Sequence, residues 1–249
     1  MSAPVVRRVA DAVEVARVAA EEVARAASRA VAERGGFTLA LAGGSTPRRL
    51  YALLADPAAP FRARVPWGRT HVFFGDERPV PPDHPESNYR MAREALLAHV
   101  AVGSVHRIRG EDPRAAEEYE RELGAFFGLG PGGAPPRLDL VLLGLGPDGH
   151  TASLFPDGAP PDDEPRWVLA PFVPHLGTRR VTLTLRALNA ARAILFLVAG
   201  AEKAAALARV LAGATDAPLL PAARVRPEGG SVTWVVDRAA SEQAPSAPR

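Results

Sequence analysis

The chain has 249 residues, 47% of them hydrophobic and 23% charged, enough to bury one sizeable core and consistent with a single domain over 1–249. With no cysteine, the sequence excludes a disulfide framework, a thiol nucleophile, a thiolate zinc site and an iron–sulfur cluster, and no apolar run approaches the roughly 18–20 residues of a membrane span. The pI is 9.5, yet 30 Lys and Arg against 28 Asp and Glu leave only +2, the arginines are dispersed and aromatics are 6%, which excludes nucleic acid as an expected partner.

Residues 9–33 carry Val9, Val13, Ala16, Ala20, Val23, Ala27 and Val31 at helical spacing and end in Gly35-Gly36, which predicts an amphipathic helix. Residues 37–42 read as a buried strand and 43–46 as a tight loop. A helix over 47–54 follows, with a hydroxyl at its N-cap and proline first. A second strand over 70–74 leads through a proline-rich loop to a helix over 88–99. After a short segment at 105–108 come a polar helix over 114–127 and a Gly/Pro loop over 128–137. Residues 138–143 are apolar at nearly every position, as a parallel strand covered on both faces should be. Further strands are predicted at 168–170, 181–185, 193–198 and 232–236, with a helix over 201–211, and the tail 239–249 is expected to fray. The alternation predicts a three-layer, doubly wound, mostly parallel α/β sheet with its ligand site at the carboxyl ends of the strands. Residues 1–8 lack a secretory signal, so the expected location is cytoplasmic.

Three loops carry candidate chemistry. Gly43, Gly44, Ser45 and Thr46 join a strand to a helix, where backbone N–H groups and hydroxyls suit a phosphate, although a plain turn has the same sequence. The loop is neither a Walker motif nor a nucleophile elbow, because Pro47 follows, so Ser45 is not read as a nucleophile. Gly144, Gly146 and Gly149 match a dinucleotide fingerprint, with Asp162 or Asp163 near the distance of a ribose-binding acid. Pro156, Gly158, Pro160 and Pro161 nevertheless break any helix that the fingerprint needs. What is left is a loop carrying Asp148 and His150 at a strand's carboxyl end, where a histidine can act as general base. Asp76 and Arg78, in Gly75-Asp76-Glu77-Arg78, form either a third piece of the site or a solvated salt-bridged loop. Arg179, Arg180 and Lys203 are individually weak basic signals that could surround one phosphate. The six histidines never pair at ligand spacing, so no metal is expected.

Taken together, LALAGGSTPRRLY from Leu39, FFGDERPVPPDHPESNY from Phe73, LVLLGLGPDGHTASLFP from Leu140, RVTLTLRALNAA from Arg180 and GAEKAAAL from Gly200 resemble the 6-phosphogluconolactonase family. More distantly they are similar to the glucosamine-6-phosphate isomerase/deaminases of the same fold. The resemblance implies hydrolysis of 6-phospho-D-glucono-1,5-lactone to 6-phosphogluconate in the oxidative pentose phosphate pathway, without metal or cofactor. It implies a small sugar-phosphate lactone as partner and a monomer or weak homo-oligomer. By the same resemblance His150 is the general base, Asp148 orients it, and Gly43, Gly44, Ser45, Thr46, Arg180 and Lys203 hold phosphate. Asp76 and Arg78 belong to a substrate-side loop. Two rivals fit less well. The isomerase/deaminase pattern has a glutamate before proline where this chain has Phe155-Pro156, and a sugar-phosphate sensor would need a DNA-binding module that the single predicted N-terminal helix does not supply.

Overall fold

The computed structural model describes residues 4–130, 132–158, 164–213 and 220–244. A strand β1 (Val5–Val9) leads into α1 (Ala12–Arg34), β2 (Phe37–Leu41), α2 (Ser45–Ala55), β3 (Thr70–Phe74), the two-residue β4 (Asp76–Glu77) and α3 (Asn88–Ala92). Next come β5 (Ser104–Val105), α4 (Ala115–Phe127) and β6 (Leu140–Leu143). The remainder is β7 (Val168–Leu169), β8 (Phe172–Val173), β9 (Thr178–Arg179), β10 (Val181–Leu183), α5 (Leu185–Asn189), β11 (Ala193–Val198), α6 (Ala204–Ala212), β12 (Ser231–Asp237) and α7 (Arg238–Ser241).

Seven strands form the central sheet in the order β1-β12-β11-β6-β2-β3-β5, and every neighbouring pair is parallel. All residues of β2 and β6 are buried, as strands covered by helices on both faces must be. Alanines 16, 19, 20, 24, 27 and 30 of α1 are buried, and their small side chains let that helix lie close to the sheet. On β11 and β12, Phe196 and Trp234 are register partners whose rings stack 3.7 Å apart.

The chain leaves β2 toward β3 and β5 but leaves β6 toward β11 and β12, although β2 and β6 are neighbours. This reversal opens a crevice above the carboxyl ends of β2 and β6, the place where doubly wound sheets bind ligands.

Four details differ from the sequence reading. Val9 belongs to the edge strand β1, which pairs with β12, and α1 starts only after Asp11, whose carboxylate accepts the N–H groups of Val13 and Glu14 at 2.8 and 3.0 Å. Helix α2 begins at Ser45, capped by Gly44 at φ +104° rather than by a hydroxyl, so Pro47 is its third residue. Strands β7 and β10 leave the central sheet and pair antiparallel with β4 in the order β4-β10-β7. Ala240, in the tail expected to fray, is fully buried on α7, while 245–249 lie outside the described residues.

Candidate active site

Two tyrosines fix the rims of the crevice. The Tyr51 hydroxyl, from α2, accepts the Ala42 N–H at 2.9 Å and donates to the Ala42 carbonyl at 2.8 Å. Tyr119, from α4, does the same to Phe74, accepting at 2.9 Å and donating at 3.0 Å. Each hydroxyl satisfies the last backbone groups of a strand just where a glycine, Gly43 or Gly75, turns the chain into a site loop. Burial holds both phenols far above their ordinary range, so they stay protonated and able to donate.

Above β2 and β6 lies a pocket of about 220 Å³, lined by Gly43, Gly44, Ser45, Thr46, Asp76, Arg78, His150 and Lys203 among others. No side chain caps α2, so the N–H groups of its first turn and their partial positive charge remain available at the Ser45 and Thr46 wall. Lys203 arrives at the start of α6 from the opposite side of the switch point. Its approach is set by Gly200, at φ +108°, whose N–H is held by the Asp237 carboxylate at 3.1 and 3.2 Å. Among the described residues the carboxylate paired with the Lys203 ammonium is Glu202, at 3.9 Å.

His150 Nδ1 and Asp148 Oδ1 are 2.6 Å apart, and the same oxygen accepts the His150 backbone N–H at 3.2 Å. Burial pushes the Asp148 carboxyl up, but attraction to His150 and hydrogen bonds from it outweigh that push and hold it below the usual carboxylate range. With Nδ1 engaged by the carboxylate, Nε2 is the imidazole nitrogen left for chemistry. The pair sits directly over Gly146, where any Cβ would overlap His150 Nδ1. The glycines expected of a dinucleotide site thus serve another purpose. Among the described residues between β6 and β7 there is no helix, only turns and a bridge between Thr151 and Leu154, while Asp162 and Asp163 lie outside the described residues.

The adjacent carboxylates of β4 part company. Glu77, 2% exposed, accepts the backbone N–H groups of Arg78, Asn88 and Tyr89, each at 2.8 Å, and the Ser87 hydroxyl at 3.0 Å, so it serves as a buried anchor for α3. Burial drives its pKa up, against those hydrogen bonds. Asp76 faces the pocket, accepting the Ser153 hydroxyl at 2.6 Å and the Asn88 amide at 3.3 Å. Asn88 lies so close to Gly43 that a Cβ there would overlap its amide. Arg78 is tied to the Glu86 carbonyl. Arg180 does not line the pocket; burial, followed by repulsion from Arg78, lowers its pKa against the pull of Asp76, Glu86 and Glu77.

Of the residues nominated from sequence, the structure therefore brings eight to the pocket wall, with Asp148 bound to His150, while Arg180 is not on that wall. The family model for glucosamine-6-phosphate isomerases/6-phosphogluconolactonase matches residues 10–234. The chain belongs to this family. A 6-phosphogluconolactonase from Synechocystis sp. is 42% identical over 211 residues, covering 81% of this chain and 82% of that protein. The human 6-phosphogluconolactonase is 42% identical over 207 residues, covering 81% and 78%. The structure of 6-phosphogluconolactonase from Trypanosoma cruzi superposes with a TM-score of 0.81 at 32% identity, covering 97% of each chain. A monomeric glucosamine-6-phosphate deaminase shares the fold, with a TM-score of 0.73 at 19% identity, so the fold alone does not select the reaction.

Sequence reasoning gave no role to Asn88, Ser153 and Thr182, although they stand inside the strings that carry the resemblance, nor to Asp237, which stands outside them. The signal that existed was indirect: each polar residue is nearly fully buried, and a buried polar group needs a partner.

Proposed function

We propose that this chain hydrolyses 6-phospho-D-glucono-1,5-lactone, with His150 as general base. The observation that carries the reading is the His150–Asp148 pair, at 2.6 Å, opening on a pocket whose other walls include a helix N-terminus and a lysine. Similarity to proteins named 6-phosphogluconolactonase supports the substrate. In the proposed reaction His150 Nε2 takes a proton from a water whose oxygen bonds to C1 of the lactone. The carbonyl π pair moves onto oxygen. Collapse of the tetrahedral oxyanion re-forms that carbonyl and breaks the bond between C1 and the ring oxygen, which receives the proton from His150. The resulting acid ionises to 6-phosphogluconate. Asp148 orients the ring and steadies the transient imidazolium.

The 6-phosphate is assigned to Gly43, Gly44, Ser45 and Thr46 with Lys203 and Arg180, because α2 presents free N–H groups and Lys203 faces it across the pocket. Asp76 and Arg78 are assigned to the sugar side. A carboxylate held by Ser153 is suited to accept from a hydroxyl. Phe155 packs against His150 and can carry no proton, which fits hydrolysis and not the proton shuffling of an amino-sugar isomerase. The protein is assigned to the cytoplasm; among the described residues no helix is long and apolar enough to cross a membrane. The test is acid release and NADP-coupled turnover on freshly made lactone, corrected for spontaneous hydrolysis. Turnover is expected well above background, and His150→Ala is expected to lower it by about 10²- to 10⁴-fold. A folded wild-type protein that does not exceed background overturns the proposal.

A further inference from the structure

Asp148 fixes only one edge of the His150 ring. A phenyl ring covers another side: Phe155, 7% exposed, has its centroid 4.4 Å from that of His150 with the planes 38° apart. The same phenyl meets a second imidazole, His175, at 5.1 Å and 71°, an edge-to-face contact. His175 stands on the turn Pro174–Leu176 joining β8 to β9, closed by Gly177 at φ +61°. Its Nδ1 lies 2.9 Å from Asp157 Oδ2, two residues beyond Phe155. One imidazole on a surface hairpin thus holds the catalytic loop at two points.

The His175–Asp157 pair is 45% and 44% exposed, too open to matter much for stability, and neither residue lines the pocket. Its geometry has a clearer use. The bond to Asp148 holds one nitrogen of the His150 ring, which also lies close to Gly146 and packs against Phe155. Phe155 is followed by Pro156 in a loop without regular structure, so its own placement depends on what packs against it.

We propose that His175 is a positioning residue for His150, acting through Phe155; this rests on the reading of His150 as general base. The hairpin that carries His175 continues into Arg180 and β10, so the brace also joins the histidine side of the pocket to the β4 side. Loss of the brace lets His150 sample orientations that do not reach the attacking water, which lowers kcat and leaves ground-state binding alone.

The test measures kcat and KM for His175→Ala, His175→Phe, Phe155→Leu and the double variant Phe155→Leu/His175→Ala. His175→Ala is expected to lower kcat about 3- to 10-fold with KM within about 2-fold, and His175→Phe, which keeps an aromatic ring against Phe155, to restore most of the loss. In the Phe155→Leu background the His175 substitution is expected to add nothing, since its route is gone. A readout independent of turnover is the ring-current shift of the carbon-bound His150 ring protons in ¹H–¹³C spectra. It is expected to move toward the free-histidine position in both His175→Ala and Phe155→Leu. Unchanged kcat and unchanged shift in His175→Ala overturn the brace, as does an equal loss of kcat with and without Phe155. A wild-type chain inert on the lactone overturns the functional reading instead, and the His150 proton shifts then decide the brace by themselves.

Discussion

At the scale of residues the candidate site depends on absent atoms as much as on present ones. Gly146 has no side chain because the His150–Asp148 pair occupies that space. The obstructing atoms are ends of movable side chains, so Gly146→Ala is expected to fold with a melting temperature near wild type. It should nevertheless lose at least about 100-fold in kcat, approaching His150→Ala. Calorimetry beside steady-state kinetics checks both halves. Asp148 carries the pH dependence. A carboxyl whose folded pKa is depressed stabilises the fold at pH values above its unfolded pKa, and that contribution is lost as pH falls through the folded value. The dyad therefore persists from neutrality down past the ordinary carboxylate range. Asp148→Asn removes the carboxylate that holds one edge of the His150 ring. Plateau kcat should fall about 10- to 100-fold as orientation is lost. A plateau kcat that stays at the wild-type level would contradict the assignment.

At the scale of elements, the pocket is where the first turn of α2 and the start of α6 approach each other from strands on opposite sides of the switch point. Charge on the two is complementary to one dianion: free N–H groups on one side, the Lys203 ammonium on the other. Lys203→Ala is expected to raise KM for the phospholactone about 10-fold or more, with a smaller effect on kcat, because a contact remote from the reacting carbonyl is equal in ground and transition states. Gluconolactone without the phosphate should show no such difference between wild type and variant. Strand pairing supplies the rest of the site. Asp76 stands opposite Thr182 in the β4–β10 ladder, and the Thr182 hydroxyl accepts the Ser153 N–H at 3.2 Å, which aims the Ser153 hydroxyl at Asp76.

At the scale of the whole molecule, the end of the sheet opposite the pocket is held by a buried carboxylate. Asp139, 8% exposed, accepts the Thr38 N–H and hydroxyl, both at 2.9 Å, and the Arg34 guanidinium at 3.0 Å, and forms an ion pair without a hydrogen bond with Arg192 at 3.4 Å. It thereby joins α1, β2, β6 and the approach to β11. Asp139→Ala strands those donors and is expected to cost about 2–3 kcal/mol. In a chain of this length that lowers the melting temperature by roughly 4–12 °C. Since none of these groups lines the pocket, kcat and KM below the transition are expected to be unchanged. A kinetic defect with normal stability would show that the two ends of the sheet are coupled.

Features that depend on neighbours along the chain were legible in the residues alone. The apolar runs of β2, β3, β6 and β11 are strands because every residue in them must be buried or nearly so. The loops 43–46 and 144–150 carry their chemistry as consecutive residues, so they were legible before any fold was known. Pairing between distant segments was not. The string VVRRV of β1 shows no alternation, and it is a strand only because β12, at the other end of the chain, offers it an edge. Asp76 and Glu77 read as two equal acids. Only the placement of Asn88, Ser153 and the α3 amides made one a pocket carboxylate and the other a buried anchor. His175 gave no signal at all, because an edge-to-face contact with Phe155 exists only once the β8–β9 hairpin has folded over the loop. The physical reason is the same throughout: propensity and periodicity act over a few residues, whereas burial, partner choice and electrostatic environment are properties of segments that meet only in three dimensions.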